Sequence, residues 1–401
     1  MDQAKTPGQV YGKLIGSGVQ AAISMNNGLI TTVAPVEPEQ LNTGTEELWI
    51  APGLVDLQVN GFGGYDVNLA GVPMEDRVEA IKNMTHELLK MGTTSFCPTI
   101  ITAGYEQIMD SMTAVRLACE SDPLVDRCVL GIHLEGPYLS GEDGPRGAHP
   151  KEHIKDPDWQ EFLHWNEAAG GKIRMVTLAP ERAGAVQMIR KLVSSGILVC
   201  IGHTAATHDQ ITAAVDAGAA MSTHLGNGAH PLLPRHPNYI WSQLAEDRLI
   251  CGIIADGHHL HPSVVKVMAR AKQGRIVLVS DAVHLAGMPP GKYTTHVGGE
   301  VELLPSGRLQ TSANPLLLAG SAASLLDCVA GYSQFTGAEL SEAFTLASAK
   351  PAELIGEPQL GTIATNRWAD LILFAITPET RKIEVRAVIK RGETVYSTST
   401  R

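Results

Sequence analysis

The chain has 401 residues, with 31 lysines and arginines against 42 aspartates and glutamates, for a formal net charge of −11. That acidic balance argues against nucleic acid or an acidic membrane surface as a partner, although a few local cations can still receive an anion within a Debye length of ~8 Å. A hydrophobic content of 44% with 18% charged residues suits a folded globular enzyme, and the length exceeds what one hydrophobic core of ~250–300 residues fills.

The chain opens on MDQAKTPGQVYGKL, which lacks the apolar stretch of a signal peptide. No run approaches the ~18 apolar residues of a membrane span, so a cytoplasmic protein without membrane contact is expected. The next segments, Gln20–Ser24, Leu29–Ala34 and Leu48–Ile50, read as short strands, the first two separated by the turn at Asn26-Asn27-Gly28.

From Pro52 to about Leu360 the pattern changes. Short apolar runs occur at Leu54–Asn60, Thr93–Ile100, Cys128–Glu135, Arg174–Ala179, Leu198–His203, Ala220–Leu225, Leu249–Asp256 and Arg275–Asp281. Between them, Met74–Met91, Glu106–Glu120, Arg182–Ser195, Ile211–Ala217 and Ser263–Lys272 carry apolar residues at three- and four-residue spacing, the mark of helices with one buried face. Continuous apolar strands alternating with helices imply a parallel sheet covered by helices, and eight of them imply an α/β fold of the (β/α)8 TIM-like barrel type. After Gly361 the segments Asp370–Phe374, Ile383–Lys390 and Thr394–Ser397 again read as strands. Residues 1–52 and 362–401 are therefore expected to pair into a small flanking β-sandwich, beside a catalytic barrel of residues 53–361. The six cysteines form no Cys-x-x-Cys pair and read as reduced core thiols.

Polar residues cluster where buried strands should end: Gln58 and Asn60 on the first run, Glu135 on the third, His203 on the fifth, His224 on the sixth, Asp256 and nearby His259 on the seventh, and Asp281 on the eighth. The C-terminal ends of barrel strands converge on one mouth, where active sites lie. Glu135, His203 and His224 together offer a carboxylate and two imidazoles, a set that suits Zn²⁺ with an open position for water. Asp281 is placed to take a proton from that water and return it to a leaving group. The first strand reads Gln58-Val59-Asn60 where many barrel hydrolases carry His-x-His, and the fourth has no lysine at its end. One metal ion is expected. Further on, Leu225-Gly226-Asn227-Gly228 followed by Arg235 could cradle an anion with backbone N–H groups and a guanidinium, or be only a turn.

The segments PGLVDLQVNG, HLEGPYL, RGAHP, GHTAAT, THLGNG, IADGHH and VSDAVHLAG, in that order, resemble the N-acetylglucosamine-6-phosphate deacetylases of the metal-dependent amidohydrolase superfamily. The resemblance implies hydrolysis of a small-molecule sugar phosphate, N-acetylglucosamine 6-phosphate, to glucosamine 6-phosphate and acetate. It implies one divalent metal per subunit, zinc or else iron, manganese or cobalt, on Glu135, His203 and His224, with Asp281 as catalytic acid/base. By the same resemblance His149 polarises the acetamide carbonyl, Gly136 contacts the substrate, Asn227 and Gly228 meet the phosphate through their backbone, and Arg235 and His259 meet it through their side chains. It further implies a homodimer. The loop 230–238 departs from the family in its richness in proline and histidine, and Gly228 stands where alanine is common, a change that a backbone contact would tolerate. His230, His236, His258, His261 and His284 receive no role. Deacetylation of another N-acetylated sugar, a non-catalytic amidohydrolase-like binding protein and a sugar-phosphate-binding regulator are the alternatives; the second expects a broken ligand set, and the third a basic DNA-binding segment that is not seen.

Overall fold

A strand that is apolar on both faces is stable only where both faces are covered. The computed structural model of the protein describes residues 8–36, 47–295, 299–377 and 382–398. In it the expected apolar runs form one eight-stranded sheet. The strands are Leu54–Val59, Thr93–Ile101, Ile132–Glu135, Ile173–Leu178, Leu198–Ile201, Met221–Ser222, Ile250–Ile253 and Ile276–Leu278. Each pairs in parallel with its neighbour in sequence. A parallel bridge from Val59 to Ala282 brings the eighth strand back to the first. There Asp281 N donates to Gln58 O at 3.0 Å and Asn60 N donates to Ala282 O at 2.8 Å. The sheet is thereby a closed barrel.

All five periodic segments are helical: Met74–Lys90, Tyr105–Ser121, Ala185–Ser194, His208–Asp216 and Pro262–Lys272. The first buries Ile81, Met84 and Leu88 at that spacing. Thr207 starts His208–Asp216 with a capping box to Gln210, satisfying N–H groups that the first helical turn leaves unpaired.

Other helices escaped the pattern. Pro123–Cys128, Trp159–Ala168, Tyr239–Ala245, Leu325–Thr336, Leu340–Leu346 and Ala349–Leu354 are mostly too short to display a period. One of them corrects the third run: Cys128 ends a helix capped by Asp122, and the strand begins only at Ile132. A three-stranded antiparallel sheet, Gly291–Thr295, Gly299–Leu303 and Leu309–Thr311, follows the eighth barrel strand and was not anticipated. It closes over a small core of Leu285, Val301, Leu303 and Leu309.

The two chain ends meet in a seven-stranded sheet. Its order is Glu393–Ser397, Ile383–Lys390, Leu371–Ile376, Trp49–Pro52, Gln9–Leu14, Gln20–Asn26 and Leu29–Pro35. Gln9–Leu14 is a strand that the composition QVYGKL did not mark. The C-terminal part joins through the antiparallel pairing of Leu371–Ile376 with Trp49–Pro52, which leads straight into the first barrel strand. Lys390, fully buried, is held against Asp370 at 2.7 Å and Ser95 at 2.9 Å, so that its charge is paired. Residues 1–7, 37–46, 378–381 and 399–401 of the expected terminal unit lie outside the described residues.

The barrel interior is not purely apolar. Asp56 and Gln58 alternate with Leu57 on the first strand and so share one face. Asp56 is fully buried, and its Oδ1 accepts from Ser280 N at 3.2 Å and Gln58 N at 3.3 Å. Burial pushes its carboxyl up to about 7, against the pull of these hydrogen bonds. A carboxyl whose folded pKa lies above its unfolded value penalises the folded state once it ionises. The penalty is absent below the unfolded value near 4, grows through the window to about 7, and is complete above it. Relative to Asp56→Asn, the protein should therefore lose stability between pH 5 and pH 8, by at most ~4 kcal/mol. Urea midpoints of both proteins at the two pH values check this, and parallel pH dependences would refute it.

Candidate active site

Glu135 is the last residue of the third strand, while His203, His224 and Asp281 lie just past the fifth, sixth and eighth. His203, His224 and Asp281 have φ of 49°, 27° and 48°. Non-glycine residues rarely adopt this left-handed region, and where they do the surrounding structure must hold them there. All four residues are buried or nearly so and line one cavity at the barrel mouth.

Their ligand-type atoms converge. Glu135 Oε1 lies 3.1 Å from His224 Nε2 and 3.4 Å from His203 Nε2. The two imidazole Nε2 atoms are 3.0 Å apart. His149 Nε2 stands 3.3 Å from His203 Nε2, and one ligand atom from each of Glu135, His149 and His203 fits within 4.8 Å of the others. His149, which the sequence assigned only to the acetamide carbonyl, therefore sits within the same cluster as the three expected ligands. Outer contacts orient these groups. Pro145 O receives His203 Nδ1 at 2.8 Å, which places the proton on Nδ1 and leaves the Nε2 lone pair facing the cluster. Thr102 Oγ1 meets His149 Nδ1 at 2.9 Å, and Gln58 Nε2 donates to Glu135 Oε1 at 3.0 Å. The Glu135 carboxylate and the His203 and His224 imidazoles, all within 3.4 Å of one another, form a donor set that fits a divalent cation of the zinc type.

The electrostatics are those of a buried charged cluster. Burial alone would raise the Glu135 carboxyl, but the His203 and His224 imidazoles that face it overcome this and hold the group well below the usual carboxylate range. Burial likewise opposes the charge on His224, yet the Glu135 carboxylate outweighs it and lifts the ring to about 9. Asp281 is pushed up to about 6, chiefly by burial, with His224 pulling the other way and Glu135 adding to the rise. Asn60 Nδ2 donates to Asp281 Oδ1 at 2.8 Å.

The cavity has a volume of about 280 Å³. Of the residues singled out from sequence, Glu135, His149, His203, His224, Asn227, Gly228, His259 and Asp281 line it. His259 is fixed by its Nδ1 at 2.7 Å from Asp256 Oδ2. Gly136 is buried beside Thr102 and Leu139, off the cavity wall. Arg235 is exposed on its loop and does not line the cavity, and among the described residues no lysine or arginine does. Sequence reasoning missed Asp66, Asn68 and His284, together with the wall that the three-stranded sheet supplies through Thr295 and Leu309. The signal for the first two was the run Asn60-Gly61-Phe62-Gly63-Gly64-Tyr65-Asp66-Val67-Asn68, whose glycines fold it into a hairpin back over the mouth.

Gly228 requires a correction. A methyl group added there would lie 2.6 Å from His203 Nδ1 and 2.8 Å from its Cε1, and the residue has φ of +55°. Alanine is therefore not neutral, because relief of the contact would shift the His203 ring off its hydrogen bond to Pro145 O. Gly228→Ala should destabilise the protein by about 1–3 kcal/mol through overpacking and left-handed strain. A urea midpoint equal to that of the parent would contradict the close packing of Gly228 on His203.

Comparison with known proteins places this geometry in context. The amidohydrolase family matches residues 49–395. The chain is 34% identical over 356 residues to the N-acetylglucosamine-6-phosphate deacetylase of Bos taurus, covering 86% of this chain and 83% of that protein. It is 31% identical to the Bacillus subtilis enzyme of the same name, over 93% and 92%. It is also 33% identical to the N-acetylgalactosamine-6-phosphate deacetylase of Escherichia coli O157:H7, over 86% and 88%. Among solved structures, N-acetyl-D-glucosamine-6-phosphate deacetylase from Mycobacterium smegmatis superposes with a TM-score of 0.84 at 28% identity, over 97% of this chain and 100% of that one.

Proposed function

The chain belongs to the amidohydrolase family, within its group of N-acetylglucosamine-6-phosphate deacetylases, and on that premise we propose that it hydrolyses the acetamide of N-acetylglucosamine 6-phosphate to glucosamine 6-phosphate and acetate. The observation that carries this reading is the placement of a buried carboxyl, Asp281, beside a Glu135–His203–His224 cluster in a cavity at the barrel mouth.

Glu135, His203 and His224 would hold a divalent cation, with zinc the ion that the donor set suits. Such a cation supplies Lewis-acid polarisation of a carbonyl and lowers the pKa of water. The remaining work falls to the chain. Asn60 occupies Asp281 Oδ1, and Asp281 N is tied to Gln58 O, so the carboxyl is fixed with Oδ2 as its proton-carrying oxygen. Asp281 takes the proton of the water as its oxygen bonds to the acetamide carbon. His149 then donates to the developing oxyanion, its ring set by Thr102. Asp281 passes the same proton to the nitrogen as the C–N bond breaks, releasing amine and acetate. A carboxyl raised by burial suits this double duty better than one at its solution value.

The phosphate would be met by the N–H groups around Asn227 and Gly228 and by His259. Arg235, outside the cavity of its own chain, would serve a phosphate only across a subunit boundary, and the working unit on this reading is a homodimer.

Asp281→Asn should lower kcat by about 10²–10⁴-fold or more while the bound cation and the thermal midpoint stay unchanged. Acetate release by an active Asp281→Asn enzyme would remove Asp281 from the proton transfer. Arg235→Ala should raise KM for N-acetylglucosamine 6-phosphate at least about tenfold, the scale of one charge-assisted hydrogen bond, and leave unphosphorylated N-acetylglucosamine turnover as it was. Equal effects on both substrates would exclude a phosphate contact.

A further inference from the structure

The pair formed by Asp66 and His284 belongs to none of the roles above, although both residues line the cavity. His284 Nδ1 lies 3.1 Å from Asp66 Oδ2, with the Asp66 side chain 8% exposed and that of His284 20%. Asp66 is itself anchored, because its Oδ1 accepts from Asn68 N at 2.7 Å, while the Asn68 amide is bound to Thr99 O and Ile101 N at 3.0 Å each.

The backbone brings the two residues together by a route that only glycine permits. Gly63 N donates to Ala286 O and Gly64 N to His284 O, each at 2.7 Å, stitching the hairpin to the segment after the eighth strand. A Cβ on Gly61 would fall 2.7 Å from His284 N and 2.8 Å from its Cα. The imidazole is thus held on the wall by a carboxylate on a fixed scaffold, three residues beyond Asp281.

A carboxylate beside Nδ1 keeps the proton there and confers on the ring a definite orientation and tautomer. A hydroxyl, which both donates and accepts, suits the ring in either protonation state. Val283 and Leu285, on either side of His284, line the same cavity and present apolar surface next to this polar group. A polar anchor beside an aliphatic wall matches a pyranose ring, with its hydroxyls at the edge and C–H groups on the face.

We propose that the Asp66–His284 pair is a hydroxyl-recognition station for the hexosamine ring, with His284 as the substrate contact and Asp66 as its positioning residue, and that it sets the preference among hexosamine epimers. This rests on the deacetylase reading of the cavity, and it concerns a part of the substrate remote from the acetamide.

The test is steady-state acetate release by the parent, His284→Ala, His284→Gln and Asp66→Asn. The substrates are N-acetylglucosamine 6-phosphate, its C4 epimer N-acetylgalactosamine 6-phosphate, and the 3-deoxy and 4-deoxy analogues of the former. His284→Ala should lower kcat/KM on N-acetylglucosamine 6-phosphate about tenfold, mostly through KM, and shift the ratio between the epimers. On the deoxy analogue that lacks the recognised hydroxyl the loss should shrink to within about twofold, because there is no contact left to remove. Asp66→Asn should reproduce this pattern by changing the tautomer of His284, and His284→Gln should recover part of the activity if the alanine variant folds poorly. Losses equal on every substrate, or no loss at all, would overturn the station while leaving the deacetylase standing. A folded, cation-loaded parent that releases no acetate from any of these sugars would overturn both.

Discussion

The junction of the first and eighth barrel strands is the constraint on which the rest of the molecule turns. Asp281 N donates to Gln58 O, and Asn60 N to Ala282 O, closing the barrel. The same residues carry their side chains into the mouth, Gln58 to Glu135 and Asn60 to Asp281. Closure of the fold and orientation of two buried carboxyls are therefore one event. Such partners offset the cost of placing both carboxyls there, since an unpaired buried charge is far more costly than a hydrogen-bonded one.

A second level of order is imposed by backbone conformation. His203, His224 and Asp281 all leave their strands through the left-handed region, so each turn directs a polar side chain to the axis where a strand would otherwise continue. Around them glycine provides the clearance. Gly228 seats against the His203 ring, and Gly61 against the backbone of His284. Three of the non-glycine residues in the left-handed region thus stand at the mouth, where the scaffold must hold reactive groups and not merely pack them. Beneath it, the eight strands and their helices pack in apolar layers interrupted by a few buried polar groups such as Asp56.

The mouth divides by chemistry. The cluster around Glu135 gathers imidazoles and a carboxylate. The sector after the sixth and seventh strands presents Asn227, Gly228 and His259, the last paired with Asp256. The sector after the eighth and first strands combines the Asp66–His284 pair with aliphatic surface, part of it from the three-stranded sheet. A substrate bearing an acetamide, a ring and a charged substituent would find a different environment for each.

Much of this was legible in the sequence, for a physical reason. A strand buried on both faces must be apolar, and a helix on a barrel must be apolar on one stripe, so the alternation of eight runs and five of the helices followed from local pattern alone. Glu135, His203, His224 and Asp281 were conspicuous because they interrupt that pattern at strand ends. Short helices such as Tyr239–Ala245 carry too few turns to show a period, and the strands Gly291–Thr295, Gly299–Leu303 and Leu309–Thr311 resemble loop sequence. What only the tertiary structure decided are contacts between residues far apart in the chain: His149 joining the cluster through His203, Arg235 standing outside the cavity, the ring of His203 leaving no room for a methyl on Gly228, and Asp66 meeting His284 across more than two hundred residues. Local sequence determines which elements form and which face each one buries. The distance between two side chains on different elements is set by closure and packing of the whole barrel, and no stretch of sequence taken alone contains it.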